Sequence, residues 1–144
     1  MEENKMEINE LAKALSLLQS KLIGVKADSD NPFFKSKYAS LDACWDSLRK
    51  PLFEAGLAIC QITVVESEKL YLRTVLMHTS GQWISSLFPI IPKDHTAQAL
   101  GSAMSYARRY SLAAITGLTQ DDDDAERAMN RPPQKAYSGF KPSA

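Results

Sequence analysis

The sequence has few of the residues that build disulfide frameworks and zinc centres. Of its 144 residues, two are cysteine and two are histidine. Cys44 falls in a helical pattern and Cys60 in a strand pattern, while His78 and His95 have no cysteine beside them. We therefore expect no disulfide and no metal site, and we predict a reducing cytoplasmic environment in which both cysteines are small core residues.

Long apolar runs and phosphate-binding glycine loops are also lacking. No apolar stretch reaches the roughly 18 residues that span a bilayer, and no cationic start precedes an apolar run, so we expect neither a signal peptide nor membrane contact. The GxxxxGK[ST] loop that cradles the phosphates of ATP is missing. Because no serine or cysteine has an obvious local base either, we expect no enzymatic chemistry and no cofactor.

The formal net charge is zero, but the charges are unevenly spread. Residues 2–10 and 121–126 are acidic, whereas residues 11–120 hold twelve Lys and Arg against eight Asp and Glu, a surplus of four positive charges. A basic body between acidic runs fits a polyanion binder, and it also fits many ordinary domains. The four aspartates at 121–124 could attract Mg²⁺, but adjacent acids on a flexible segment rarely form a defined site.

Apolar periodicity predicts two amphipathic helices in the N-terminal part, over residues 7–22 and 41–56. Ser40 is the expected N-cap of the second helix, and Pro51 is expected to kink or shorten it. The segment between the helices is rich in small polar residues and contains Pro32, which predicts a loop.

The second half predicts strands at 57–65, 70–79 and 82–91, joined by short turns that include Ser80-Gly81, and then a long helix at 96–117. The fold class is therefore α+β, with N-terminal helices, a three-stranded antiparallel meander and a long C-terminal helix. We expect one domain over residues 1–120 and a mostly disordered tail over 121–144, which has little to bury.

The stretch "NPFFKSKYAS", residues 31–40, interleaves aromatic rings with lysines. Phe33, Phe34 and Tyr38 could anchor a loop in the core, or they could stack bases, since an aromatic ring accepts any base. Lys35 and Lys37 have no structural reason to lie between them, so we expect these lysines to neutralise phosphates.

The long helix carries Arg108 and Arg109 on an otherwise uncharged surface. At 100° per residue, Arg108 falls in the apolar stripe, which predicts either an internal salt bridge or a phosphate contact. Arg109 falls on the polar face, where a phosphate contact is favoured. Tyr106 and Tyr110 are expected to stack one turn apart on a third face.

Three blocks of the sequence are distinctive: "NPFFKSKYASLDACWDSLRKPLFEAGLAI", "HTSGQWISS", and "QALGSAMSYARRYSLAAITGL" followed by "DDDDAE". In this order, and from about residue 10 to 126, they resemble the Erf family of phage recombination proteins, which are single-strand annealing proteins. The resemblance implies ATP-independent binding of single-stranded DNA, annealing of complementary strands, and homo-oligomeric rings or filaments. It also implies a β-β-β-α core shared with eukaryotic strand-annealing recombinases.

The candidate DNA contacts are basic and aromatic side chains, chosen for their chemistry beside the resemblance. They are Lys35, Lys37, Tyr38, Arg49, Lys50, Arg73, Arg108 and Arg109. The expected setting is the cytoplasm of a bacterial host, with a host single-strand-binding protein as a further candidate partner. Two rival functions remain open, a protector that coats single strands without annealing them and a Mg²⁺-dependent nuclease that uses the aspartate run.

Overall fold

The computed structural model describes residues 6–30 and 37–120, which form three helices, a two-stranded ribbon and a three-stranded sheet. The elements are α1 (Asn9–Lys21), β1 (Ser29–Asp30), β2 (Lys37–Tyr38), α2 (Leu41–Glu54), β3 (Leu57–Glu66), β4 (Lys69–His78), β5 (Trp83–Pro89) and α3 (Ala97–Thr116). This order confirms the α+β prediction of N-terminal helices, a strand meander and a long C-terminal helix. The ribbon of β1 and β2 was not predicted.

The second helix begins and packs as its sequence predicts. Ser40 is the N-cap, and its hydroxyl oxygen accepts a hydrogen bond from the backbone N–H of Ala43 at 3.1 Å. Cys44 and Leu48 are fully buried on the face that meets α1 and the sheet. Pro51 lies in the last turn, and the helix continues to Glu54.

The N-terminus of α1 is capped from outside the helix. Its N-cap residue, Ile8, makes no side-chain capping bond. Instead, the Gln82 side-chain oxygen accepts from the backbone N–H groups of Glu10 and Leu11 at 2.9 and 3.0 Å. Because Gln82 lies in the turn between β4 and β5, this contact fixes the helix to the sheet.

The sheet has the order β3-β4-β5 with antiparallel neighbours, which confirms the predicted meander. The β3–β4 turn places Ser67 and Glu68 at φ 48° and 62°, the positive values that a type I′ turn requires at both central residues. In the next turn Gly81 has φ 89°, and its N–H donates to the carbonyl of His78 at 2.9 Å. Both turns match the short connections read from the sequence.

The two faces of the sheet differ in burial. Leu72, Thr74 and Leu76 of β4 are buried beneath the helices. The opposite, outer face includes Cys60, which pairs with Val75 and is exposed, so the prediction that Cys60 is a core residue is wrong. The physical reason is that β3 is apolar on both faces, and apolar content alone does not tell which face meets the helices.

The long helix is capped at both ends and packs unevenly along its length. Thr96 caps its start by accepting from the N–H of Ala99 at 3.1 Å, and Gly117 ends it at φ 82°. The C-terminal half joins the main core through Leu112. The N-terminal half packs on the far part of the sheet through a smaller cluster that contains Ala107, which leaves much of this half exposed.

Candidate nucleic-acid interface

The ribbon of β1 and β2 brings Tyr38 to a fixed position beside α2. Asp28 closes the base of this ribbon: one carboxylate oxygen accepts from the backbone N–H of Ser40 at 2.7 Å and the other from its hydroxyl at 2.8 Å. The N–H of Asp28 also donates to the carbonyl of Tyr38 at 3.1 Å. The backbone bond from Ser40, with the side-chain bond second, lowers the pKa of Asp28 below its usual value. Sequence reasoning missed this carboxylate, which anchors the interface without lying in it.

Arg109 of α3 is surrounded by tyrosine rings. Its guanidinium carbon lies 4.4 Å from the ring centroid of Tyr38, 5.0 Å from that of Tyr110 and 5.9 Å from that of Tyr106. One nitrogen, Nη1, donates to the carbonyl oxygen of Ala39 at 3.3 Å. These contacts hold the half-buried side chain in one orientation, and cation–π attraction strengthens the arrangement.

Aromatic rings continue from Arg109 along the helix. The ring centroids of Tyr106 and Tyr110 lie 4.4 Å apart with the ring planes tilted by 41°, which confirms the predicted contact one turn apart but not a parallel stack. Phe88 at the end of β5 follows, with its ring centroid 6.4 Å from that of Tyr106. We call Tyr38, Arg109, Tyr110, Tyr106 and Phe88 the ring row. It crosses from the ribbon to the far end of the sheet.

The charge on Arg109 is not neutralised by an acid in the part of the chain that the structure describes. The ion pairs found there involve other basic residues, and the partners of Arg109 are π-faces and a backbone carbonyl. A guanidinium has five N–H donors, and the described contacts use one of them. Arg109 is thus an oriented cation with donors for an anion such as a phosphate.

Arg108, the neighbouring arginine, does not lie in the apolar stripe in which its helical phase placed it. Its side chain is exposed and forms no ion pair among the described residues. The buried face of α3 is centred on Ala107 and Ser111 instead. The placement of Arg108 in the apolar stripe is therefore wrong, because alanine and glycine occur on both the buried and the exposed face of this helix and mark neither. No internal salt bridge of Arg108 is found among the described residues, and its phosphate contact stays a prediction.

Three further predicted contacts lie on other surfaces and are paired with acids. Arg49 and Lys50 lie on α2, where Arg49 bonds to Asp46 and the Lys50 ammonium lies 3.9 Å from the Glu54 carboxylate. Arg73 lies on the outer face of the sheet, 3.6 Å from a carboxylate oxygen of Glu66. No described contact joins these three to the ring row.

The structure describes only part of the segment 31–40, which interleaves aromatic rings with lysines. Lys35, Phe33 and Phe34 lie outside the described residues. The backbone of Lys37 forms β2, where it pairs with Asp30, directly before Tyr38. The predictions for these lysines therefore remain predictions.

Other kinds of site find no support in residues 6–30 and 37–120. No group of three or more His, Cys, Asp or Glu side chains there could hold a metal ion. None of the helices in those ranges is long and apolar enough to cross a membrane. The aspartates at 121–124, and with them the nuclease alternative, lie outside the described residues, as does the predicted disordered tail.

Comparison with known proteins adds one family. The family model of the ERF superfamily matches residues 11–141 of the chain. No curated protein matches, and neither does any solved structure. The match covers both the ring row and the ribbon that carries Tyr38.

Proposed function

We propose that this chain, which belongs to the ERF superfamily, binds single-stranded DNA along the ring row and anneals complementary strands without a nucleotide cofactor. Membership supports single-strand annealing and recombination as the general role. The proposal adds the surface that does the binding and the way in which bases are left available for pairing.

The observation that carries the proposal is Arg109, a half-buried cation that lies against three tyrosines and has no carboxylate partner among the described residues. Proteins that bind single strands without sequence preference combine cations for the backbone with aromatic rings for the bases. The ring row contains both, and Tyr106 is 52% exposed. These side chains favour an arrangement in which Arg109 binds one phosphate and the rings stack the neighbouring bases.

Stacking also explains how annealing can follow binding. A ring contacts the flat face of a base, and the hydrogen-bonding edge of that base still points away from the protein. A strand held by its phosphates and base faces can therefore be read by a second strand. Base pairing then supplies both the selectivity and the driving force, which fits a protein without an ATP-binding loop.

Three of the remaining predicted contacts are proposed as an extension of this surface. Lys35 and Lys37 precede Tyr38 in the chain, and Arg108 follows the ring row on α3 as an exposed cation. We propose that these three hold phosphates on either side of Arg109. The cations on α2 and on the outer sheet face, Arg49, Lys50 and Arg73, would have to exchange their present acidic partners for phosphates.

We further propose that residues 1–120 form the annealing domain and that residues 121–144 are a tail. Annealing of long strands needs many aligned surfaces, so the proposed working form is a homo-oligomeric ring or filament. The proposed setting is phage-type recombination in the cytoplasm of a bacterial host, with a host single-strand-binding protein as partner.

The test is an annealing assay on complementary labelled oligonucleotides in the absence of nucleotide. The wild type should accelerate pairing. Tyr106→Ala removes one stacking ring, which is worth about 1–3 kcal/mol per base, and should weaken single-strand binding about 5- to 150-fold. Tyr71→Ala, on the outer face of the sheet, is the matched control and should bind like the wild type.

Three results would contradict the proposal in different ways. Binding without faster pairing would identify a protector that coats DNA. A requirement for ATP would remove the nucleotide-independent mechanism. Equal loss in both tyrosine variants would show that the ring row is not the DNA surface.

A further inference from the structure

One groove at the end of the ring row has a polar wall to which the proposed function assigns no role. It lies between the end of β5, the loop at 91–96 and the first half of α3, and its volume is about 830 Å³. Phe88 and Tyr106 form aromatic walls, and Ala99 and Ser102 of α3 also line it. Phe88 and Tyr106 belong to both the groove and the ring row, so a strand that lies along the row reaches the groove directly.

The polar side of this groove includes a carboxylate acceptor. Asp94 lines it, and one of its carboxylate oxygens, Oδ1, accepts from both the backbone N–H and the hydroxyl of Thr96, at 2.9 and 2.6 Å. The lone pairs of Oδ2 are not used by Thr96. The bonds from the Thr96 side chain and backbone lower the pKa of Asp94, so the carboxyl is ionised and purely an acceptor at neutral pH.

This donor and acceptor pattern fits a base better than a phosphate. A carboxylate repels a phosphate, and one N–H of the helix N-terminus beside it, that of Ala99, already donates to Thr96. Gln98 and Ser102 also line the groove and can either donate or accept, whereas the Asp94 carboxylate only accepts. A ring-walled slot with this carboxylate suits a flat group that carries N–H donors on its edge. Lys93 also lines the groove and places a positive charge where the flanking phosphate of such a base would lie.

We infer that this groove takes one unstacked nucleobase of the bound strand and that Asp94 favours bases with an exocyclic amino group. The inference rests on the proposed function and extends it. Cytosine presents an N4 amino group as donor, whereas thymine presents an O4 acceptor at the same place, so the carboxylate accepts from the first and repels the second. A base bound in the groove cannot pair with the second strand, so pairing involves only the bases that lie outside the grooves.

The test compares short oligo(dC) and oligo(dT), which have rings of the same size and differ at this exocyclic group. The wild type should bind oligo(dC) about three- to tenfold more tightly, the range expected for one solvent-accessible hydrogen bond. Asp94→Asn can keep the acceptor that Thr96 needs and place an NH₂ donor in the groove, so the dC:dT affinity ratio should fall to one or invert. The readout is fluorescence anisotropy at constant salt.

Matched controls separate base reading from charge and from helix stability. Asp42→Asn removes the same charge from the first turn of α2 and should tighten both complexes without changing the ratio. Ser102→Trp fills the groove and should bring the ratio to one. Ala97→Trp places the same ring on the exposed side of α3, about 140° around the helix, and should keep the wild-type ratio.

The outcomes decide between this inference and the proposed function. A wild type that binds both oligonucleotides equally, or an Asp94→Asn protein with an unchanged ratio, overturns the base site and leaves the proposed function standing. A change in ratio in Asp42→Asn as large as that in Asp94→Asn also overturns it. A wild type that binds neither oligonucleotide overturns both.

Discussion

Replacing Arg109 with lysine keeps the positive charge and removes the planar guanidinium, so this change isolates what the three tyrosines contribute. The guanidinium carbon lies 4.4, 5.0 and 5.9 Å from the three ring centroids. Cation–π attraction is worth about 0.5–2 kcal/mol, depending on desolvation. A flexible ammonium holds neither the ring contacts nor a forked phosphate contact. Arg109→Lys should therefore weaken single-strand binding about 2- to 30-fold.

The salt dependence of binding separates geometry from charge. Arg109→Lys still neutralises one phosphate, so the slope of log affinity against log salt should stay unchanged. Arg109→Ala removes that contact as well, and the slope should become shallower by about 0.7 for single-stranded DNA. Titration of a labelled oligonucleotide at several salt concentrations measures both quantities. Urea unfolding of the same proteins shows whether the lost ring contacts also lower stability, for which we expect about 1–2 kcal/mol in Arg109→Ala.

Arg108 provides the control because it is the adjacent residue with the same charge and an exposed side chain. Arg108→Lys should bind like the wild type. Arg108→Ala should make the slope of log affinity against log salt shallower by no more than the value for one phosphate contact, about 0.7, and should leave the free energy of unfolding nearly unchanged. The reasoning is refuted if Arg109→Lys binds normally while Arg108→Lys does not. That result would place the DNA on the outer side of α3, away from the tyrosines.

Further predictions concern the supports of the interface. Gln82→Ala should lower the free energy of unfolding by about 1–2 kcal/mol, because two N–H groups at the start of α1 lose their acceptor; Gln82→Glu, which keeps an acceptor, should rescue most of this in urea unfolding. Glu68→Gly should raise stability by up to about 1 kcal/mol, since φ 62° favours glycine; a loss of stability would contradict the type I′ turn. The pKa of Asp28 is lowered by Ser40, so its contribution to stability is present above the unfolded pKa and is lost as pH falls through the lower folded value. The stabilities of wild type and Asp28→Ala should therefore begin to converge as pH falls below the ordinary Asp value of about 3.9, and a gap that stays constant with pH would contradict the role of Asp28 at the base of the ribbon. Deleting residues 121–144 should leave a folded, DNA-binding core, and loss of the folded state in circular dichroism would move the domain boundary.

The sequence predicts the elements of this fold well because each one is specified locally. Ser40 and Gly117 sit at helix ends for capping reasons that need no tertiary information. The short polar turns dictate an antiparallel meander rather than a parallel sheet. The ribbon of β1 and β2 escapes this reasoning, because two-residue strands carry no periodic signal and this ribbon is closed by the side chain of Asp28.

Burial was harder to predict wherever a segment is apolar on two sides. Cys60 lies on an apolar strand, and Arg108 lies on a helix with alanine and glycine around it, so neither position could be assigned from periodicity. The contact between Tyr38 and Arg109 joins positions 71 residues apart in the chain. Aromatic and basic residues could be predicted as candidates, but only packing of the ribbon against α3 brings these two together.

The uneven packing of α3 explains why one helix can carry both the core and the interface. Its C-terminal half is held by Leu112 and Thr116, which are fully buried, so substitutions there act mainly on stability. Its N-terminal half has Ser102 and Tyr106 exposed and packs on the far part of the sheet, so side chains there can contact a ligand without opening the main core. Arg109 lies where the two halves meet. That position accounts for the expectation that its removal lowers both DNA affinity and stability, whereas changes in the groove should alter binding alone.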